Sequence, residues 1–511
     1  MSHKYGHGVG RILKVTALLG GASLINVLLG IVRVKVLAVQ LGPAFFGMIS
    51  LYTNFTTSIG AITSLGIGSS AVRNIAVAVE SGNETRVAHT VSVLRRMVWL
   101  TGVCGLIATI GLSLPGSWWM FGEYDHAWAI AILGVTVLFA QIQSGQTALL
   151  SGLRRIGDLA MLLVIGGLLS TALAITLLLL LGEKGIVPFL IAVALGQLAA
   201  SWWYSRKVKV SVVKVSWREC ITESRDMVQL GLSMVVSGLM LTVSTLLILI
   251  ILRAYEGVAA VGLYQSALTI SSIYVGFILQ SMSSDYFPRL VGIVENRAER
   301  NQVVDEQSDV AILLAVPGLV AALIFSSLLI LLLYSARFDG ASDILRWMIL
   351  GMLGRIVSWP LGFILLAHGD KSAYIISELS TAIVHVALVW LGVHFLGPIG
   401  AGVAFAGQYL FYVLLIIMVT RARHEYIQSH SNQRLLIQGA ALIFLAFGST
   451  FITSGVYRYL IGVLLLLISI GWSLHGLVER LGFERFMNGM QKVVGSSVSF
   501  KLERALSRFY R

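Results

Sequence analysis

LGPAFFGMISLY, residues 41–52, joins two long apolar runs, and EGVAAVGLYQSA, residues 256–267, repeats its design 215 positions later. Gly42 and Gly47 of the first stretch correspond to Gly257 and Gly262 of the second. Further along, RIGDLAMLLVIGGLLSTA (155–172) is matched by AHGDKSAYIISELSTA (367–382), pairing Gly157-Asp158 with Gly369-Asp370 and Ser170-Thr171-Ala172 with Ser380-Thr381-Ala382. Gly196-Gln197 is echoed by Gly407-Gln408. Three landmarks in one order, with an offset that drifts only from 215 to 210, indicate an internal duplication.

The units being duplicated belong in a bilayer. A chain that is 57% hydrophobic and 12% charged cannot cover its apolar surface with a polar shell, so lipid must be its solvent. Scanning for apolar runs of about 20 residues predicts fourteen spans, at 12–39, 45–77, 97–114, 127–150, 159–181, 186–204, 227–252, 261–282, 310–334, 343–367, 373–394, 399–420, 435–453 and 457–478. Six spans separate the copies, and six is even, so both enter the membrane from the same side and the repeat is parallel. The predicted fold is an all-α polytopic membrane protein with two six-helix lobes, two C-terminal helices and a central cavity, the layout of a transporter that works by rocking its lobes. The expected organisation is an N-terminal lobe over 1–205, a basic linker over 206–226, a C-terminal lobe over 227–420, the last two spans within 421–478 and a basic tail over 479–511.

The net charge of +13 does not point to nucleic acid, because of where the cations lie. Of the 37 Lys and Arg, five fall in or at the edges of loops after odd-numbered spans (Lys184, Arg253, Arg337, Arg346, Arg458) and four deeper within spans, leaving 28 in or at the edges of the termini and the loops after even-numbered spans. By the positive-inside rule both termini are cytoplasmic, and the basic surface meets anionic headgroups. The first span is too long for a cleaved signal. Cys104 and Cys220 share no motif spacing, and there is no Walker loop, HExxH or Cys/His cluster, so neither a metal nor a cofactor is expected.

The four embedded cations are Arg33, Lys35, Arg73 and Arg355. A cation at mid-span costs about 2.5–3.5 kcal/mol on insertion scales, so it usually faces a bundle interior or a water-filled path. Ser23, Asn26, Gly30 and Arg33 share one small, polar helix face, which makes Asn26 and Arg33 candidates to line the cavity. Lys35 points nearly opposite and either lines the cavity or reaches the interface along lipid. Gly351, Arg355, Ser358 and Gly362 form a similar face; Arg355 is expected to bind substrate or else to pair with an acid such as Glu378. Arg73, 28 residues into span 2, either snorkels or lines the cavity. Asn54 is a candidate hydrogen-bonding partner for a polyhydroxylated substrate. Glu378 and His385, on one stripe with Tyr374 and Thr381, are the candidate proton-coupling groups. More embedded cations than acids suit an anion, and arginine suits phosphate.

The block VKVLAVQLGPAFFGMISLYTNFTTSIGAITSLGIGSSAVRNIA (34–76), the six-plus-six duplication, the Gly-Asp loops before spans 5 and 11 and the two extra spans resemble the polysaccharide-flippase branch of the multidrug/oligosaccharidyl-lipid/polysaccharide exporter superfamily, the Wzx-type O-antigen translocases. The resemblance implies a non-enzymatic protein of the bacterial inner membrane. It would flip an undecaprenyl-pyrophosphate-linked oligosaccharide to the periplasmic leaflet for O-antigen, lipopolysaccharide, capsule or exopolysaccharide assembly. It also implies a cationic cavity and, by analogy with the lipid II flippase, a groove beside the last two spans for the polyprenyl tail. Three other readings stay open. The drug-efflux branch usually has twelve spans and uses membrane carboxylates, whereas the first lobe here has no mid-membrane acid. A lipid II flippase would show an early arginine-rich pattern. A glycan polymerase or ligase would need a large outer loop, and the longest, 113–126, offers only Glu123, Asp125 and His126. The tail SFKLERALSRFYR (499–511) has an apolar and a basic face, as expected of a surface-lying helix, and is a conceivable dock for a polymerase or glycosyltransferase.

Overall fold

The computed structural model describes residues 2–210, 213, 215–452 and 455–482. The tail expected from 479 onward lies outside the described residues from 483. In chain order the helices are α1 (Ser2–Ser64), α2 (Ile67–Glu80), α3 (Glu84–Gly111), α4 (Ser113–Phe121), α5 (Ala127–Gly152), α6 (Ile156–Leu181), α7 (Ile186–Ser205), α8 (Trp217–Gly292), α9 (Arg297–Ile324), α10 (Ser326–Leu333), α11 (Ala341–Ala367), α12 (Lys371–Leu396), α13 (Ile399–His424), α14 (His430–Ser449) and α15 (Gly455–Leu481), with no strand among the described residues. Ten stretches there are long and apolar enough to cross a membrane. Three of them, Leu18–Ser64, Ile156–Ser205 and Gly238–Ser283, each hold two helices, and α14 is a further, shorter apolar helix. The chain is therefore the all-α multi-pass protein that its hydropathy predicts.

The duplication is visible in the backbone. α1 bends at Gly42 (φ 80°, ψ −172°) and α8 at Gly257 (φ 82°, ψ 175°), a conformation that only glycine adopts without strain. Pro43 follows the first bend but Val258 the second, so the glycine, not the proline, is the common cause. Asn83 caps α3 by accepting from the Arg86 N–H, and Asn296 caps α9 by accepting from the Glu299 N–H. α5 ends with Arg154 N–H on Ser151 O and Arg155 N–H on Leu150 O; α11 ends with Gly369 N–H on Leu366 O and Asp370 N–H on Leu365 O. Both are Schellman ends with a left-handed residue, Arg154 (φ 54°) and Gly369 (φ 70°). The structural equivalent of Gly369 is thus Arg154, three positions before the Gly157 that sequence similarity aligns with it; Gly157 lies inside α6.

Two expected spans are redrawn. Span 2 stops at Ser64, because Leu65 (φ 49°) and Gly66 (φ 68°) are both left-handed and break the ladder. The remaining residues form α2, which buries Ile67, Ala71, Ile75 and Ala78 at helical spacing. Span 9 is not 310–334 but α9 followed by α10, since the polar stretch 297–309 is helical and buries one face.

By internal contacts the chain forms two units. The first runs through Ser266 and adds Ile330–Ala341 and Ala382–Ala401; the second holds Ala267–Leu329, Ser342–Thr381 and the chain from Gly402 onward. In the first unit Ile67, Ile75, Leu94, Met97 and Leu149 gather α2, α3 and α5 into one core, with Val215 and Cys220 of the following segment. In the second, Tyr286, Leu290, Val304, Leu365 and Ile416 do the same for α8, α9, α11 and α13.

Within the second unit, α14 and α15 are anchored to α9 by two buried acids, Asp305 (8% exposed) and Asp309 (7%). Asp305 accepts from the Tyr426 hydroxyl at 2.5 Å and the Ser429 N–H at 2.8 Å. Asp309 accepts from Asn432 Nδ2 at 2.6 Å and pairs with Arg480 Nε at 2.7 Å. All four carboxylate oxygens are engaged, which is what makes two buried acids tolerable. At the same end Arg300 (4% exposed) donates to the His424 carbonyl at 2.5 Å and lies 3.2 Å from His368 Nε2, with the His368 and His424 rings 4.0 Å apart. Asp370 is desolvated, yet the Ala373 N–H, Arg423 and Ser372 hold its carboxyl below the usual range.

Asp309→Ala leaves the half-buried Arg480 without its carboxylate and the buried Asn432 amide without its acceptor, and should lower the stability of the detergent-solubilised protein by about 3 kcal/mol. Adding Arg480→Ala should then cost little more, a non-additivity that a double-mutant cycle measures by thermal unfolding.

Candidate functional site

Two features of the membrane-spanning helices position the candidate site: the glycine corners, and the arginines Arg33 and Arg355, which have no partner among the described residues. In the first unit the two corners lie against each other. A methyl group on Gly47 would collide with the Val258 carbonyl, and one on Gly262 with the Pro43 carbonyl, so each corner rests on the other's backbone. Phe46 extends the seam edge-on to Tyr334 (5.4 Å) and Phe338 (5.9 Å). Ser335 Oγ reaches the Ala38 carbonyl at 3.4 Å.

Lys35 belongs to this seam. Its ammonium donates to the carbonyls of Leu331 (2.9 Å) and Tyr334 (2.5 Å) at the C-terminal end of α10. The last carbonyls of a helix lack intrahelical donors and carry its negative dipole end, so a cation satisfies both needs at once. Arg33, two residues earlier, is half-buried and makes no hydrogen bond or ion pair among the described residues. Asn26 is directed to α6, where a Cβ on Gly167 would strike its side-chain oxygen. Asn54 Nδ2 donates to the Ser50 carbonyl of its own helix at 2.9 Å. Arg73 lies outside the spanning segments, on the exposed face of α2.

In the second unit Gly351 and Gly354 of α11 pack on Phe405 and Tyr409 of α13, and Gly362 lies near the Tyr412 hydroxyl. The small-residue stripe is thus a helix-packing face. Arg355 is half-buried beside it, close enough to Tyr409 to influence it electrostatically, and forms no ion pair with Glu378. Glu378 instead accepts from the Tyr412 hydroxyl at 2.5 Å. His385, on the same helix as Glu378 but in the first unit, is buried. Arg33 of the first unit and Arg355 of the second, two of the cations that the sequence places inside its spans, thus have no protein acceptor among the described residues. A guanidinium in that position is matched by a phosphate, whose oxygens accept its planar fork of donors.

Residues of 113–126 form α4 and its turn. His126 Nδ1 meets the Tyr52 hydroxyl at 2.7 Å, its Nε2 lies 3.3 Å from Glu123, and Phe121 stacks on its ring at 4.0 Å. Glu123 and His126 thereby tie the turn to α1, and with Arg253 they line a cavity of about 620 Å³ beside the Gly257 corner. A second cavity of about 480 Å³, between α1, α5 and α7, is lined by Thr53, Thr57, Ser64, Gln143 and Gln197. Apart from Gln197, a landmark of the repeat, its residues were not singled out from the sequence, although the spacing of Thr53, Thr57 and Ser64 places them on one helix face.

The model of a family described as polysaccharide biosynthesis protein matches residues 12–294. The lipid III flippases of Escherichia coli (strain K12) and Shigella flexneri are each 23% identical to this chain over 419 residues, covering 79% of it and 97% of the relative. Among solved structures, the lipid II flippase MurJ in its inward closed conformation is similar with a TM-score of 0.70 at 15% identity, over 90% of this chain and 99% of that one. An inward-facing multidrug resistance MATE transporter of the MOP superfamily is similar with a TM-score of 0.66 at 15% identity, over 78% and 94% respectively. These relatives are flippases and transporters, not catalysts, and the fold is theirs.

The glycine seam makes its own prediction. In a variant lacking Cys104 and Cys220, Gly47→Ile should force the corners apart, and a cysteine placed at Val258 should react several-fold faster with a membrane-impermeant thiol reagent than with Gly47 intact. An unchanged labelling rate would show that the corners do not need the close approach.

Proposed function

This chain belongs to the polysaccharide biosynthesis protein family, and on that premise we propose that it flips a polyprenyl-pyrophosphate-linked oligosaccharide across the bacterial inner membrane by alternating access. The observation that carries the reading is that Arg33 and Arg355, both on spanning helices, have no protein acceptor among the described residues. Both Arg33 and Arg355 are placed at a cost that a bound pyrophosphate repays. The likeness to two lipid III flippases over most of both chains supports a lipid-linked substrate. The cargo is an O-antigen, capsule or exopolysaccharide repeat unit, with both termini cytoplasmic, a reading that the distribution of Lys and Arg supports.

In this reading Arg33 and Arg355 hold the phosphates. Lys35 of α1 keeps the glycine seam closed by its bonds to the end of α10, and Arg73 meets headgroups or the arriving substrate at the membrane surface. Asn26 and Asn54 are the weaker binding assignments, because packing on Gly167 and the bond to Ser50 already occupy them. Glu378, held by Tyr412, and His385 are the groups for proton coupling.

Mass spectrometry of polyprenyl-linked intermediates, together with a gel of surface polysaccharide, tests the reading in cells lacking the gene. Lipid-linked oligosaccharide should accumulate while the surface polymer disappears. Arg355→Ala and Arg33→Ala, at normal protein levels, should each slow export at least about tenfold, since a hydrogen bond to a charged group contributes about 1.5–3 kcal/mol. Unchanged intermediates with altered drug sensitivity would point to an exporter of another kind.

A further inference from the structure

Three spanning helices of the first unit converge on the 480 Å³ cavity with uncharged polar groups. Thr53, Thr57 and Ser64 lie on one face of α1 at i, i+4 and i+11; Thr136 and Gln143, seven apart, lie on one face of α5; Gln197 comes from α7. No carboxylate, ammonium, guanidinium, imidazole or aromatic ring lines the cavity. Its volume lies within the range of about 300–1,000 Å³ typical of small-molecule pockets.

Helix packing does not use up these groups. The bond that ties α5 to α1 is made by Gln141, whose Nε2 donates to the Gly60 carbonyl at 2.8 Å. Gln143 and Gln197 share a single long hydrogen bond of 3.4 Å, from Nε2 to Oε1. The Gln143 carbonyl and the Gln197 amino group have no partner among the described residues, and neither do the hydroxyls of Thr53 and Thr57. Hydroxyls and amides both donate and accept, so together they suit a ligand whose own groups do both. An anion would find no counter-charge here, and an acyl or polyprenyl chain would leave the polar groups unsatisfied in a membrane interior. A sugar ring has hydroxyls at its rim and C–H groups on its faces, and Leu133 and Val193 supply the matching apolar wall.

We propose that this cavity binds one uncharged sugar ring of the lipid-linked substrate, so that selection for glycan resides in α1, α5 and α7 while the arginines select for phosphate. The assignment rests on the flippase reading above. Each neutral hydrogen bond lost is worth about two- to tenfold in rate.

The experiment uses the full chain in phospholipid vesicles with two fluorescent probes, a short polyprenyl pyrophosphate and the same carrier bearing one uncharged N-acetylhexosamine. The wild type should move the sugar-bearing probe faster. The triple variant Thr57→Val, Gln143→Leu, Gln197→Leu should lose that preference by at least about tenfold and move the bare carrier at the wild-type rate. Should the triple variant not fold, Thr57→Val and Gln143→Leu singly should each lose part of the preference, and Thr57→Ser should keep it. If the variants retain the wild-type preference, or the wild type has none, the sugar assignment is overturned while movement of the carrier leaves the flippase reading standing. If the wild type moves neither probe, the flippase reading falls and the assignment with it.

Discussion

A cation inside a membrane helix must be satisfied by something, and the ways this chain does so organise its structure. Lys35 is satisfied by the end of another helix, and by sitting there it closes the seam at which the Gly42 and Gly257 corners meet. Arg480 is satisfied by Asp309, and by that pairing α15 is held to α9. Arg33 and Arg355 are satisfied by nothing among the described residues, and the proposed function gives them an anionic ligand. In that reading basic side chains act as latch, anchor and receptor, depending on which acceptors the fold brings within reach.

The glycine corners show how duplication and function are linked. A backbone at φ near 80° needs glycine at 42 and 257, and the close crossing needs glycine again five residues on, at 47 and 262, for a different reason. One requirement is conformational and local; the other is steric and set by the partner corner. Because both corners carry both glycines, the contact has the symmetry of the repeat, with Pro43 opposite Gly262 and Val258 opposite Gly47. Backbone carbonyls, the Lys35 tie and the buried rings of Phe46, Tyr334 and Phe338 together make this one seam within the first unit.

In the proposed function, recognition divides in the same physical way. Charge-assisted bonds from arginine are strong and indifferent to the sugar, so they suit the part of the substrate that every cargo shares. Threonine hydroxyls and glutamine amides make weaker bonds that depend on where each ring hydroxyl points, and they suit the part that varies. A carrier that must reject foreign glycans without relinquishing its hold on pyrophosphate has reason to keep the two sets of groups on different surfaces.

The sequence by itself determined the solvent, the helix class, the duplication and the identity of the embedded cations, because hydropathy, repeat spacing and residue chemistry are local properties of a chain. It also paired Gly42 with Gly257 correctly, since a conformational demand on one residue leaves its mark at that residue. Only the tertiary structure decided that Lys35 caps a helix 296 positions away, that Asp305 and Asp309 hold the last two helices, and that Thr53, Thr57, Gln143 and Gln197 share one cavity. It also moved the equivalent of Gly369 from Gly157 to Arg154, because a left-handed helix end is recognised by its hydrogen bonds and an arginine can occupy it. In each case the deciding partner lies far along the chain or the deciding quantity is a backbone angle, and residue order records neither.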